Sequence, residues 1–152
     1  MSIETTTPFL RGLEERRSRV ERFLVAAHEL PGMTIDERIE VIEDVTAFLA
    51  ETLLPHADAA QRVLYAEADR QLGHTGAGES VTFDSQEIRL RIGELAECAP
   101  RRTGRLQELL YALYVLTSNH VQKEEEAYLR LLDSQPGSME RVMGGMAALG
   151  RV

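Results

Sequence analysis

The stretch that decides the fold is Leu106–Asp133, LQELLYALYVLTSNHVQKEEEAYLRLLD. Its apolar residues recur every three or four positions, which is the spacing of one face of an amphipathic helix. His120 and Glu124 lie one turn apart on that face, so both side chains point at the same interior region. A buried histidine and a buried carboxylate each require a hydrogen-bond partner, an opposite charge or a metal ion. The full face comprises Leu106, Leu109, Leu113, Leu116 or Thr117, His120, Glu124, Ala127 or Tyr128, and Leu131.

The segment before Pro31-Gly32 has the same helical period. Thr7 and Pro8 predict its start, with the threonine as N-cap and the proline in the first turn. Its apolar face is interrupted by Arg17, where a core residue is expected. An arginine at such a position either extends outward to solvent or is buried and paired. The predicted face comprises Leu10, Leu13, Arg17, Val20, Leu24 and Ala27.

A second helix begins at the capping box formed by Thr34 and Glu37. Pro55 lies within this segment, and we expect it to bend the helix rather than end it, because the apolar period resumes beyond it. A histidine, His56, again interrupts the apolar face. The predicted face comprises Ile35, Ile39, Ile42, Val45 or Thr46, Leu49, Leu53, His56, Ala60 and Val63.

The glycine-rich segment 73–80 predicts a loop, and a third helix is expected to start near Thr82 or Asp84. Ser85 is the polar residue on its inward face, which comprises Val81, Ser85, Ile88, Ile92, Leu95 and Ala99. Residues 138–149 predict a short C-terminal helix with Met139, Val142, Met143 and Met146 on one side. We expect this methionine patch either to cap the bundle or to form a dimer surface, although Gly144-Gly145 disfavours a helix there.

Four helices with short connections and no strand-period run predict an all-α protein, an up-down four-helix bundle with a short C-terminal helix. The length of 152 residues favours a single domain, 1–152, with the bundle at about 8–133 and an extension at 134–152. Each predicted inward face has a polar residue near its middle. Bundle cores hold metal ions in this way, with side chains converging from facing helices.

Composition narrows the classes of partner and location. The net charge of −8 argues against nucleic-acid binding, which needs a basic face to neutralise phosphates. Cys98 is the single cysteine, so no intrachain disulfide forms, and the chain has neither a leader-like start nor a run long enough to span a membrane. We therefore expect a cytoplasmic protein. Gly-rich phosphate loops, Cys-x-x-Cys pairs and nucleophile elbows are not found in the sequence.

Three segments give the chain a family resemblance. They are Phe48–Tyr65 (FLAETLLPHADAAQRVLY), Asp84–Leu95 (DSQEIRLRIGEL) and Leu109–Asp133 (LLYALYVLTSNHVQKEEEAYLRLLD). With these segments the sequence resembles the hemerythrin-like (HHE cation-binding) domains, and with the first helix the similarity extends to about Asp133. The resemblance implies a four-helix bundle with a di-iron site that binds or senses oxygen, nitric oxide or iron.

The resemblance also implies a ligand set, which this chain matches only in part. His56, His120 and either Glu124 or Glu125 match the family's ligands on the second and fourth helices. Three positions depart from the pattern: Arg17 stands in place of the first histidine, Ala60 in place of a glutamate, and Ser85 in place of a histidine. The sequence therefore predicts a reduced or lost site, and an oxygen carrier is not expected.

Three functional classes follow from these residues. The first is a binding or sensing module with iron held by His56, His120 and Glu124, either mononuclear or dinuclear, which would take a small diatomic ligand only when the metal is bound. The second is a metal-free interaction or structural bundle, with a homodimer or protein partner, in which Arg17 pairs with Glu124 and supplies the positive charge. The third is an enzyme that uses the same pocket, for which only the convergence of histidine and glutamate argues.

Overall fold

The computed structural model describes residues 3–73, 77–134 and 136–150; most of these residues are helical and none of them lies in a strand. Two π-helical turns, Leu49–Leu53 and Gln61–Tyr65, join three of the helices into one continuous rod, residues 35–72. No helix in this described part has both the length and the apolar character of a membrane span. The helices are α1 (Ile3–Glu29), α2 (Ile35–Phe48), α3 (Leu54–Ala60), α4 (Ala66–Leu72), α5 (Ala77–Glu97), α6 (Thr103–Ser134) and α7 (Pro136–Ala148).

Contacts between the long helices give an up-down topology. Along α1 and α6, residue 16 contacts 124 while residue 27 contacts 107, so the two helices are antiparallel. The same holds for α5 and α6, where 84 contacts 123 and 94 contacts 105, and for the rod and α5, where 58 contacts 89 and 61 contacts 82. The predicted all-α, up-down four-helix bundle is therefore confirmed.

The face predicted for α6 is confirmed, since Leu106, Leu113 and Leu131 are fully buried and His120 and Glu124 are 1% exposed. The prediction for α2 was wrong at its start. Ile35 and Ile39 are exposed, at 47% and 37% of their surface, and α2 contacts the core chiefly through its second half. In the first turn of α2 the buried residue is Arg38, which donates hydrogen bonds to Pro100 and Thr103, so apolar spacing there did not indicate the buried face.

The inward face of α1 is confirmed at Leu13, Val20 and Ala27, and is displaced by one residue at the three alternating positions. The buried residues are Phe9, Leu13, Arg16, Val20, Phe23 and Ala27, whereas Leu10 is 41% exposed and Arg17 is partly exposed. Both faces carry apolar residues, so the spacing alone did not separate them. The larger aromatic side chains decide the orientation, because Phe9 stacks on Tyr128 at 3.7 Å and Phe23 packs edge-on against Phe48.

Two helix starts also differ from prediction. Helix α1 begins at Ile3, so Pro8 lies within it rather than in its first turn. Helix α5 begins at Ala77, about five residues before the predicted start, and the predicted loop is helical from there on. The remainder of that predicted loop, residues 74–76, lies outside the described residues. Helix boundaries are the least certain part of a prediction from apolar period, because the period is read from the buried face and not from the helix ends.

The helix continues past Pro55 as predicted, and a π-helical turn precedes the proline. Proline has no N–H to donate, so the regular hydrogen-bond pattern cannot continue through it. The N–H of Leu54 donates instead to the carbonyl of Leu49, five residues earlier. This wider turn precedes Pro55 and a second one follows Ala60, so the segment carrying His56 lies between two irregular turns.

Helix α7 covers one end of the bundle. Its predicted apolar side is confirmed, because Met139, Val142 and Met146 are fully buried against the rest of the chain. Arg141 of α7 forms an ion pair with Glu67 of α4, which fixes the helix on the rod. The methionine patch therefore caps the bundle, as the first of the two interpretations expected.

Candidate functional site

A buried ion cluster lies between α1, α6 and the rod that contains α3. The side chain of Glu124 on α6 is 1% exposed, and its Oε1 accepts hydrogen bonds from two sides. His56 Nε2 of α3 lies 2.5 Å from that oxygen, and Arg16 Nη2 of α1 lies 3.3 Å from it. One carboxylate oxygen therefore ties α1, α3 and α6 together.

The small residues predicted at vacant ligand positions are also buried. Ala60, one turn after His56, is fully buried, and Ser85 on α5 is 4% exposed. Neither side chain reaches Glu124 in the described hydrogen bonds.

Glu124 is ionised despite its complete burial. Burial alone raises the pKa of a carboxyl group, because it disfavours the charged form. Here the hydrogen bond from His56 and electrostatic interactions with His56, Arg16 and His120 outweigh burial, so the pKa of Glu124 is lowered from its ordinary value of 4.5. An ionised carboxylate only accepts hydrogen bonds, so Nε2 of His56 must carry the proton in this contact.

Arg16 supplies the permanent positive charge of the cluster. Its burial lowers the pKa of the guanidinium from 12.5, while Glu124 and then Glu15 oppose that shift. An arginine stays protonated in proteins. The Arg16–Glu124 contact is therefore a buried ion pair, and its formation compensates part of the desolvation that each group undergoes.

His120 lies one turn from Glu124 and is left without a protein partner. Both of its ring nitrogens are buried and make no hydrogen bond in the described part of the chain. Burial lowers the pKa of His120 below its ordinary value of 6.5, although Glu124 and Asp84 act in the opposite direction. The ring is therefore neutral near pH 7. The hydroxyl of Tyr65 and Nε of Arg16 are likewise buried and unpartnered.

The predicted pair between Arg17 and Glu124 was wrong. Arg17 instead pairs with Glu125, and the side chains of this pair are 43% and 33% exposed. Arg16 takes the interior position because the inward face of α1 is displaced by one residue. Glu125, a predicted alternative ligand, lies in this partly exposed ion pair.

Acids that might have completed a metal site have other partners. Asp84 pairs with Lys123 between α5 and α6, and Asp58 pairs with Arg89 at the surface. Within the described ranges, no group of three or more His, Cys, Asp or Glu side chains is placed to hold a metal ion. The described donor set does not fit a di-iron centre, because one of the oxygens of its one central carboxylate is already shared by Arg16 and His56.

Sequence reasoning missed Arg16 and Tyr65. A signal for Arg16 was present, since placing Phe9 and Phe23 on the inward face of α1 also places Arg16 there. The larger apolar area of phenylalanine favours that choice over leucine. Tyr65 gave no comparable signal, because a tyrosine near the end of an apolar face is ordinarily a core residue.

The stability of the protein should fall on acidification, beginning near pH 6.5. The folded state keeps His120 neutral, so its contribution is complete above the ordinary pKa of 6.5 and is lost as pH falls below it. Glu124, whose pKa is lowered, adds a second loss below about pH 4.5. Each group changes the free energy of unfolding by up to about 1.4 kcal/mol per pH unit.

Urea unfolding at pH 5.5 and 7.5 should show the loss that comes from His120, and the variant His120→Leu should show a smaller loss. Equal pH dependence in both proteins would contradict the assignment to His120.

The comparisons with known proteins give one match. The family model described as "Hemerythrin HHE cation binding domain" matches residues 9–132. This range includes the residues of the buried cluster and ends before α7. Neither a curated protein nor a solved structure matches the chain.

Proposed function

Because this chain belongs to the hemerythrin HHE cation-binding domain family, we propose that it is a member whose buried ion cluster takes the structural place of the metal centre. It then works as an interaction module rather than as an oxygen carrier. The observation that carries the proposal is the sharing of Glu124 Oε1 by Arg16 and His56.

Charge and donor chemistry both support this interpretation. A metal ion brings positive charge into the bundle core, and the guanidinium of Arg16 brings the same charge without a metal. A cation bound at Glu124 would lie next to that guanidinium, and the two would repel each other. A metal binds the lone pair of a histidine nitrogen. While Nε2 of His56 donates its proton to Glu124, this nitrogen has no lone pair to offer a metal.

Metal analysis tests the proposal. Protein purified without chelator and loaded anaerobically with ferrous iron should contain well below one iron per chain by mass spectrometry. In the variant Arg16→His, iron content should rise, because a neutral imidazole donor replaces the repelling cation. About two irons per wild-type chain would contradict the proposal and mean that more distant acids complete a di-iron site.

A second candidate is a sensing module with a reduced iron site held by His56, His120 and Glu124. The observation that favours it is the pair of buried, unpartnered ring nitrogens of His120. Such a site requires Arg16 to leave Glu124 when iron binds. About one iron per wild-type chain, lost in the variant His120→Ala, would support this candidate over the first. A diatomic ligand such as nitric oxide would bind only in that case.

We also propose that residues 1–152 form one domain that works in the cytoplasm, away from nucleic acid. The single cysteine and the net charge of −8 support this proposal. A homodimer or a protein partner fits the role of an interaction module. Size-exclusion chromatography with light scattering measures the oligomeric state directly.

A further inference from the structure

Helices α1 and α2 leave a surface groove between them, which we call the α1–α2 groove. Its volume is about 450 Å³, and apolar side chains form its floor, namely Phe23, Val41, Val45 and Phe48. Three charged residues line it, and these are Arg19 and Arg22 of α1 and Asp44 of α2. The groove thus combines an apolar floor with two arginines on one wall.

Arg19 is held over the floor by a specific contact. Its guanidinium lies 4.1 Å from the centre of the Phe48 ring, which is a cation–π distance. Phe48 in turn packs edge-on against Phe23, with ring centres 6.0 Å apart. Stacking uses the face of the guanidinium and leaves its N–H groups free to bind an acceptor in the plane.

The two groove arginines lie outside the ion pairs that the described ranges contain. In the described residues, Arg19 and Arg22 form no ion pair, although Asp44 lines the same groove. Their neighbours on α1 differ, because Arg16 and Arg17 pair with Glu124 and Glu125. In the described part of the chain, the groove wall therefore carries two arginines outside any ion pair, with Asp44 on the facing helix, on a chain whose net charge is −8. This charge is complementary to an anion.

The size of the groove indicates a small molecule rather than a protein. Small-ligand sites have volumes of roughly 300–1,000 Å³. A stable protein interface needs roughly 20–30 residues from each partner. The volume of the α1–α2 groove, about 450 Å³, is that of a small-ligand site.

We propose that the α1–α2 groove binds a small amphiphile with one anionic head group, a carboxylate or a phosphate monoester. The head group lies against Arg19 and Arg22, and a short apolar body lies on the phenylalanine floor. This binding is independent of the ion cluster around Glu124, so either proposal can fail while the other stands.

Isothermal titration calorimetry with decanoate, decyl phosphate and decyltrimethylammonium tests this proposal. The two anions should bind and the cation should not, because all three share the same apolar chain and differ in charge. Whichever anion binds more tightly identifies the preferred head group. Equal binding of the cation would overturn the proposal, as would no binding of either anion at millimolar concentration.

Variants locate the site. Arg19→Gln and Arg22→Gln should each weaken anion binding about tenfold, as expected for loss of a charge-assisted hydrogen bond. Arg11→Gln is the matched control, since it removes the same charge from an exposed position of α1 outside the groove, and it should leave affinity nearly unchanged. An equal loss in Arg11→Gln would mean a general charge effect and overturn the assignment. Arg22→Gln leaves the contact between Arg19 and Phe48 intact, so its result does not depend on that packing.

Discussion

Replacing Arg16 by alanine is expected to lower the free energy of unfolding by about 3–5 kcal/mol. The substitution leaves Glu124 ionised and buried with only His56 as a partner, and an uncompensated buried charge is costly. It also removes a long side chain from a tightly packed core. Urea unfolding at pH 7.5, followed by circular dichroism, measures the change.

Arg17→Ala is the matched control for this prediction. Arg17 is the next residue, has the same charge and also pairs with a glutamate of α6, but its ion pair with Glu125 is substantially exposed. Exposed ion pairs contribute about 0–1 kcal/mol, so Arg17→Ala should cost less than about 1 kcal/mol. Equal losses in the two variants would contradict the orientation of α1.

The double variant Arg16→Met, Glu124→Leu separates charge burial from packing. Buried ion pairs replaced together by apolar residues of similar volume are often neutral or stabilising. The double variant should therefore be more stable than Arg16→Ala. A double variant less stable than Arg16→Ala would show that the ion pair itself, rather than the unpaired charge, dominates the loss.

The second large effect is expected at Gly145. A Cβ atom added there would lie 2.7 Å from Cγ1 of Val63, which is closer than two carbon atoms approach each other. Valine is branched at Cβ and turns away only at a cost, so α7 would be pushed off the rod. Alanine normally improves a helix by about 1 kcal/mol over glycine, but overpacking costs about 1–3 kcal/mol. We expect Gly145→Ala to destabilise the protein by up to about 2 kcal/mol net.

Gly144→Ala is its control, because an added Cβ at that exposed position meets no atom within 4 Å. That variant should be neutral or more stable by up to about 1 kcal/mol. The variant Val63→Ala should remove most of the difference between the two alanine substitutions. A stabilising effect of Gly145→Ala in thermal unfolding would contradict the close contact between α7 and the rod.

Much of the fold followed from local pattern. The long helical segments were predicted from three patterns: the period of α6, the capping box at Thr34 and the resumption of apolar spacing after Pro55. The short connections between these segments predicted the up-down order. The C-terminal helix was predicted from its methionines, but the role of Gly144-Gly145 was not. A glycine that disfavours a helix locally is needed at position 145, because Val63 comes from a distant part of the chain.

The candidate site was predicted only in part from the local sequence pattern. His56, His120 and Glu124 stood out because they are polar residues on apolar faces, and all three are buried. The partner of Glu124 was assigned to the wrong arginine. Two adjacent arginines on a helix differ by about 100° in direction, and the alternative faces of α1 were both apolar enough to pack.

The sequence by itself determined that this chain forms an all-α bundle with a polar cluster at its centre, because periodicity is a local property of each helix. Only the tertiary structure decided that Arg16 enters the cluster while Arg17 stays at the surface. The rotation of α1 about its axis depends on the fit of Phe9 against Tyr128 and Phe23 against Phe48, which lie on other helices. Contacts between distant segments leave no periodic pattern in the sequence, so they are determined only when the helices pack together.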